Sequence, residues 1–275
     1  MKSTVKVQPK LWIGFAIWIG YVLAVLAVST LVGVPYTELG DSGATLFKGA
    51  GLSLIVGTVL LVITTTLLGW WQPALFDRAV SRHRWPIIAP ILMAVLLVLN
   101  LVLTDWAAFD VAFLAASIVL LLVGFTEEIT TRGLLLVALR SRLSEVLVWL
   151  LSTLAFALMH YINVLLGQGF LPTTTQVLFA FLGGTIFYIL RRTTGSLIWA
   201  MLLHGFWDFS TFAIGHGTSA AYGSITGILY LVVGLFALVA VWWTFPRTDA
   251  EKLALQTGPN QSGVTGPVSA SSTVS

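Results

Sequence analysis

Three charged side chains fall within six residues at the end of an apolar run: Glu127, Glu128 and Arg132, in the stretch Gly124-Phe125-Thr126-Glu127-Glu128-Ile129-Thr130-Thr131-Arg132. A charge near the middle of a membrane helix costs ~2.5–3.5 kcal/mol on insertion scales. Such groups therefore face a protein interior, pair with one another, or do chemistry. Three more ionisable residues interrupt apolar runs. His160 ends Leu154-Ala155-Phe156-Ala157-Leu158-Met159-His160, while His204 and Asp208 stand four apart and share one helix face. Glu128 and Arg132 have the i, i+4 spacing at which a carboxylate and a guanidinium pair along a helix. Glu127 is rotated by ~100° from that pair, which leaves it to face elsewhere. Glu127 and His160 could activate a water, with His204 and Asp208 polarising a carbonyl or supporting an oxyanion, the parts of a peptide hydrolase. Equally, Glu127, His160 and His204 could hold a divalent metal, zinc being the fitting one, with an open position for water. No H-E-x-x-H helix is present, so such a metal site would draw on three separate helices. The residues by themselves do not choose between the two.

The elements that must position these groups are membrane helices. Of 275 residues, 57% are hydrophobic and only 9% charged, against roughly 25% charged in ordinary soluble domains. The composition predicts an all-α polytopic membrane protein whose partner surface is the lipid bilayer. With no cysteine in the chain, disulfides, thiolate metal sites and a catalytic cysteine are excluded. Eight segments approach the ~20 residues a helix needs to cross the hydrocarbon core: 11–34, 50–70, 87–104, 111–139, 144–166, 175–190, 196–214 and 223–243. The fourth is long, either one tilted helix or a span with a broken piece. The reading divides the chain into N-terminal helices over 1–110, a core over 111–214, a last helix over 215–245 and a disordered polar tail over 246–275.

Cationic residues set the expected orientation. Lys2, Lys6 and Lys10, Arg78, Arg82 and Arg84, Arg140 and Arg142, Arg191 and Arg192, and Arg247 and Lys252 all fall on one side of eight alternating crossings. Both termini are then cytoplasmic, in a multi-pass protein of a bacterial-type plasma membrane. The basic excess is topological, and no nucleic-acid partner is expected. A rise of ~1.5 Å per residue puts Glu127 ~20 Å from Arg140, His160 ~24 Å above Ser144 and His204 ~18 Å above Arg192. Three spans of alternating direction thus bring their polar residues to one layer. Gly183-Gly184 reads as a close helix contact, and Trp12, Trp18, Trp70, Trp71, Trp85, Trp242 and Trp243 as interface anchors. Trp207, between His204 and Asp208, could wall the site, and His83 and His216 read as solvated loop residues.

Taken singly, each group has a plainer account. The glutamates and Arg132 would suit a helix end among headgroups, and His160, or His204 with Asp208, an interhelical clasp. Intramembrane Glu, His and Asp also serve proton- or ion-coupled transporters, which would predict internal repeats, and no second copy of the glutamate motif is visible. A non-catalytic immunity or scaffold protein of the membrane is the third class.

Together, these motifs resemble those of a known family. Glu127-Glu128-x-x-x-Arg132-Gly133 looks like the first motif of the CPBP intramembrane proteases, the type II CAAX prenyl endopeptidase-like or Abi family. Phe156-x-x-x-His160 matches the second motif. His204-x-x-x-Asp208 matches the third, where many members carry Asn. The stretch from Phe181 to Leu197 resembles the segment leading into that third motif, and the whole resemblance runs over about Val111 to Ile214. It implies an eight-helix endopeptidase with its site opening to the cytoplasmic side. Its substrate would be a hydrophobic or membrane-anchored peptide. Glu127 and His160 would activate water, His204 and Asp208 would support the oxyanion, and Glu128 and Arg132 would hold geometry. The family is usually labelled metal-dependent, and a metal-free glutamate mechanism is also argued for it.

Overall fold

Apolar runs of this length fold as helices because only a helix satisfies every backbone N–H and C=O within a single lipid-exposed segment. The computed structural model describes residues 5–217, 220–247 and 253. Among them, eight helices are long and apolar enough to cross a membrane: α1 (Leu11–Val32), α2 (Gly43–Leu68), α3 (Trp85–Leu103), α4 (Val111–Arg140), α5 (Glu145–Leu165), α6 (Phe170–Thr194), α7 (Leu197–Gly217) and α8 (Ser224–Thr244). No strand forms among the described residues, where Phe76 and Ser196 make only an isolated bridge. The protein is an all-α polytopic bundle, as its composition predicts. Each span lies within a few residues of its expected bounds, except that α2 starts at Gly43, seven residues before the expected 50, and α6 at Phe170, five before the expected 175. Beyond Arg247 the polar tail, apart from Leu253, lies outside the described residues.

Burial ranks the helices. In α6, 56% of the apolar window is buried, against 17% in α1, so α6 is the central post and α1 a flank. Leu23, Leu31, Val95, Val102, Ile228 and Val239 point outward and are well exposed, the pattern of lipid-facing positions. The main core runs through the bundle, with Ile129, Leu134, Leu135, Leu136, Ile186 and Ile189 all fully buried, and a smaller cluster joins Leu46, Phe113, Ala116 and Leu120.

The connection between α2 and α3 is tied to the end of α6. Helix α6 stops at Gly195, whose φ of +77° is a left-handed conformation that a glycine adopts without a Cβ penalty. The carbonyls left over there are met by the connection: Asp77 N–H donates to Gly195 O at 2.9 Å, Ser81 N–H to Arg192 O at 2.7 Å and Arg84 Nη1 to Thr193 O at 2.6 Å. Asp77 itself receives Arg140 Nη1 at 2.7 Å, Arg191 Nη2 at 2.8 Å and Arg192 Nη1 at 2.9 Å. Glu145 receives Arg140 Nη2 at 2.5 Å and the Tyr188 hydroxyl at 2.8 Å. Arg140, Arg191 and Arg192 are thus more than topological markers, because they form the buried ionic base of the bundle. Trp70, expected as an interface anchor, is also fully buried there, donating Nε1–H to Val7 O at 2.7 Å. His216 is helical, not in a loop: it sits in the last turn of α7 and stacks on Phe113 at 4.0 Å.

Candidate active site

The long fourth segment is one unbroken helix that changes its winding at the glutamates. It is α-helical over Leu121–Glu128, π-helical over Ile129–Leu135 and α-helical again over Leu136–Arg140. Wide π turns concentrate at functional sites because they re-aim side chains without ending the helix. Threonines hold this stretch. Thr130 Oγ1 donates to Thr126 O and Thr131 Oγ1 to Glu127 O, both at 2.6 Å. The Tyr21 hydroxyl reaches across from α1 to Thr126 Oγ1 at 3.1 Å, fixing the turn that carries Glu127.

All six expected residues meet. Glu128 Oε1 lies 2.8 Å from Arg132 Nη1, the anticipated i, i+4 pair, and both side chains are fully buried. The same oxygen is 3.1 Å from His204 Nδ1. Because the carboxylate accepts, Nδ1 carries the hydrogen, and Nε2 is turned toward Glu127 at 3.9 Å and Asp208 at 3.6 Å. His160 is set in the same manner. Its Nδ1 lies 3.0 Å from Phe156 O, a carbonyl that can only accept, so in the neutral ring Nε2 is the free acceptor, 4.0 Å from Glu127 Oε2. Separations of 3.9–4.0 Å are too long for direct hydrogen bonds and suit two polar groups sharing one water. Glu127 Oε2 is buried, has no hydrogen-bond partner within the protein, and is the glutamate oxygen that faces both imidazoles.

The surroundings are aromatic. Arg132 stands over the Phe156 ring at 3.8 Å, a cation–π contact that complements its pairing with Glu128. The His204 ring stacks on Phe187 at 4.5 Å and meets Phe156 edge-on at 5.4 Å. Phe187 is a site residue that its type and spacing did not single out. An apolar residue in an apolar run carries no signal of its own.

Glycine decides how closely the helices come. A methyl on Gly124 would lie 2.9 Å from Gly205 Cα, and one on Gly205 would lie 2.7 Å from Leu121 O. Helices α4 and α7 therefore touch backbone to backbone between Glu127 and His204. Both glycines adjoin the site motifs, and the small-residue rule that marks Gly183-Gly184 would have found them. The expected contact at Gly183-Gly184 is present: Gly184 lies against the Arg132 guanidinium and Gly183 against the Tyr230 hydroxyl. Gly205→Ala is expected to force α4 and α7 apart and destabilise the fold by about 1–3 kcal/mol, the range for overpacking. A lowered thermal midpoint in detergent, with turnover lost in step, is the result to look for. An unchanged midpoint would refute the backbone contact.

The three side chains that could hold a divalent metal, Glu127, His160 and His204, face one another, and the anchored Nδ1 atoms are how metal-ligating imidazoles are oriented. Donors sharing a tetrahedral zinc at about 2.0–2.1 Å stand about 3.3 Å apart, closer than the 3.9 and 4.0 Å found here. Among the described residues no group of three such side chains has metal-holding geometry. The donor types suit zinc, while their spacing is that of a bridging water.

Glu127, His160, His204 and Asp208 line a cavity of about 490 Å³, with Trp207 and Tyr230 stacked at 4.7 Å in its wall. The cavity runs from the carboxylate–imidazole layer toward the end of the bundle away from the arginine cluster, past Ser29, Tyr36, Leu166 and Gln176.

Fold and site together define a polytopic helical membrane protein with a buried Glu–His centre. Residues 108–210 match the family described as type II CAAX prenyl endopeptidase Rce1-like, a segment that contains all six site residues. No curated protein matches the chain.

Proposed function

We propose that the chain is an intramembrane endopeptidase that hydrolyses a peptide bond in a membrane-associated or hydrophobic peptide, using a water activated by Glu127 and His160. The observation that carries this reading is the placement of Glu127 Oε2, unpartnered within the protein and about one water's width from both imidazoles. A water held there donates one hydrogen to Glu127 and the other to His160 Nε2, which leaves its oxygen free to attack the scissile carbonyl. The new C–O bond forms as Glu127 takes the water's proton. That proton then passes to the departing amide nitrogen as the C–N bond breaks.

Opposite the base, doubly protonated His204 donates Nδ1–H to Glu128 and offers Nε2–H to the oxyanion, with Asp208 at 3.6 Å balancing its charge. Arg132 acts through Glu128: it holds the carboxylate that holds His204. A zinc ion, if bound by Glu127, His160 and His204, would supply a water of lowered pKa. The reading needs none, and turnover by the purified protein is expected to survive exhaustive chelation. Loss of turnover on chelation, restored by zinc, would replace the water-bridged reading with a metal one.

The most direct test compares the membrane peptidome of cells carrying the wild type with that of cells carrying Glu127→Ala. Cleavage products present only with the wild type are expected. Identical peptidomes, with the biological activity retained by the variant, would favour a non-catalytic membrane protein.

A further inference from the structure

The cavity has a mouth and a floor, and the charges say which side of the membrane each faces. Its upper walls come from one end of the bundle: Ser29 in the last turn of α1 and Tyr36 just past it, Ser53 in the first half of α2, Leu166 just past the end of α5, Gln176 in the early turns of α6, and Phe212 late in α7. The rim is organised. Tyr36 N–H donates to Leu166 O at 2.8 Å, and Gln176 Nε2 donates to the Tyr36 hydroxyl at 3.1 Å. Among the described residues, none of the connections at the other end of the bundle, 69–84, 141–144 and 195–196, contributes to the lining.

That other end is sealed. Below Glu127 lie Ile129, Arg132 and Leu134, all fully buried, and beneath them Arg191 donates to both Arg132 O and Ala74 O. The ionic base of Asp77 with Arg140, Arg191 and Arg192 closes the bottom. The closed end also carries the cations: Arg78, Arg82, Arg84, Arg140, Arg142, Arg191 and Arg192 belong to its connections or to the helix ends entering them. At the open end the connections hold Glu38, Asp41, Asp105 and Asp110 and no Lys or Arg, with Lys48 in the first turns of α2. Excess Lys and Arg marks the cytoplasmic side.

We propose that the site is reached from the extracytoplasmic face, and that its substrate is a peptide segment presented from the outer leaflet or the exported side. This reverses the cytoplasmic opening that the resemblance implies. It rests on the protease reading only for the nature of the guest, because the access route stands on the cavity and the charges alone. A cytoplasmic lipidated tail would meet the sealed arginine base.

The chain contains no cysteine, so a single introduced thiol reports its own surroundings. Ser29→Cys, near-isosteric and in the cavity wall, and Ser141→Cys, exposed at the closed end, are compared in sealed right-side-out vesicles using a small membrane-impermeant methanethiosulfonate. Ser29→Cys is expected to label completely before permeabilisation, and Ser141→Cys only after it. Ser53→Cys, lower in the same wall, repeats the test should Ser29→Cys fail to fold. Labelling of the cavity thiol only after permeabilisation, or not at all, would overturn the proposal. Because the readout requires no turnover, a failed protease reading with outside labelling leaves the access route standing. Active protease with inside-only labelling removes the access route alone.

Discussion

Glu127→Gln is expected to abolish peptide-bond hydrolysis while leaving the fold intact. The substitution keeps the shape of the side chain and removes its ability to take a proton. General-base catalysis contributes typically 10²–10⁴-fold, so turnover should fall by about 10³-fold or more. Stability should hold or rise, since Glu127 Oε2 is a buried oxygen without a protein partner and an uncharged amide is cheaper to bury than a carboxylate. The neighbouring variant supplies the contrast. Glu128→Gln leaves Arg132, fully buried and ion-paired through that carboxylate, without the anion that balances it, which costs about 3–5 kcal/mol when a buried pair is broken. Adjacent glutamates should therefore fail differently, one in chemistry and one in folding. Kinetics on a verified substrate, with thermal unfolding of both variants in one detergent, makes the comparison. Glu127→Gln turnover within about tenfold of wild type would leave no base for the mechanism.

Asp77→Ala is expected to be the most destabilising change outside the membrane spans. One carboxylate is shared by Arg140, Arg191 and Arg192 at 2.7–2.9 Å, and its removal leaves Arg140 and Arg192 beside Glu145 and Arg191 with backbone carbonyls. The cost is about 3–5 kcal/mol by the same rule, a fall of about 2–4 °C in melting midpoint for each kcal/mol in a chain of this size. The pH dependence has a definite sign. Burial alone would push the Asp77 carboxyl up, but the three arginines together outweigh it and hold it well below the usual carboxylate range. A carboxyl depressed in the folded state stabilises fully above its unfolded value of about 3.9 and loses that contribution as pH falls toward the folded value. Wild type should thus lose this contribution only in strong acid, while Asp77→Ala should already be weakened at neutral pH. A midpoint within about 2 °C of wild type at pH 7 would show that the cluster is not what joins the α2–α3 connection to α6.

Much of the site is legible in residue types because membrane burial makes charge conspicuous. Glu127, Glu128, Arg132, His160, His204 and Asp208 stand out against apolar neighbours, and helical rise places them in one layer before any packing is considered. The i, i+4 spacing of Glu128 and Arg132 forecasts their pairing, found at 2.8 Å. What stays hidden is whatever lacks contrast. Phe187 under His204 sits among similar residues, and although Gly124 and Gly205 are visible as small residues, nothing local says that they will meet each other. Asp77 is one charge in a charged connection, and nothing local says that three arginines distant in sequence will converge on it.

By itself the sequence determines eight crossings, their alternation and the layer that the Glu127, His160 and His204 groups share, because hydrocarbon thickness, helical rise and the cost of burying charge all act along one chain. Only the tertiary structure decides which Glu127 oxygen faces the imidazoles, which nitrogen each histidine offers, and where the cavity opens. Those outcomes depend on how helices distant in sequence pack sideways: on two glycines letting backbones meet, a π turn rotating one helix, and an ionic cluster closing one end. Depth is a property of a segment, whereas lateral placement and access are properties of the bundle.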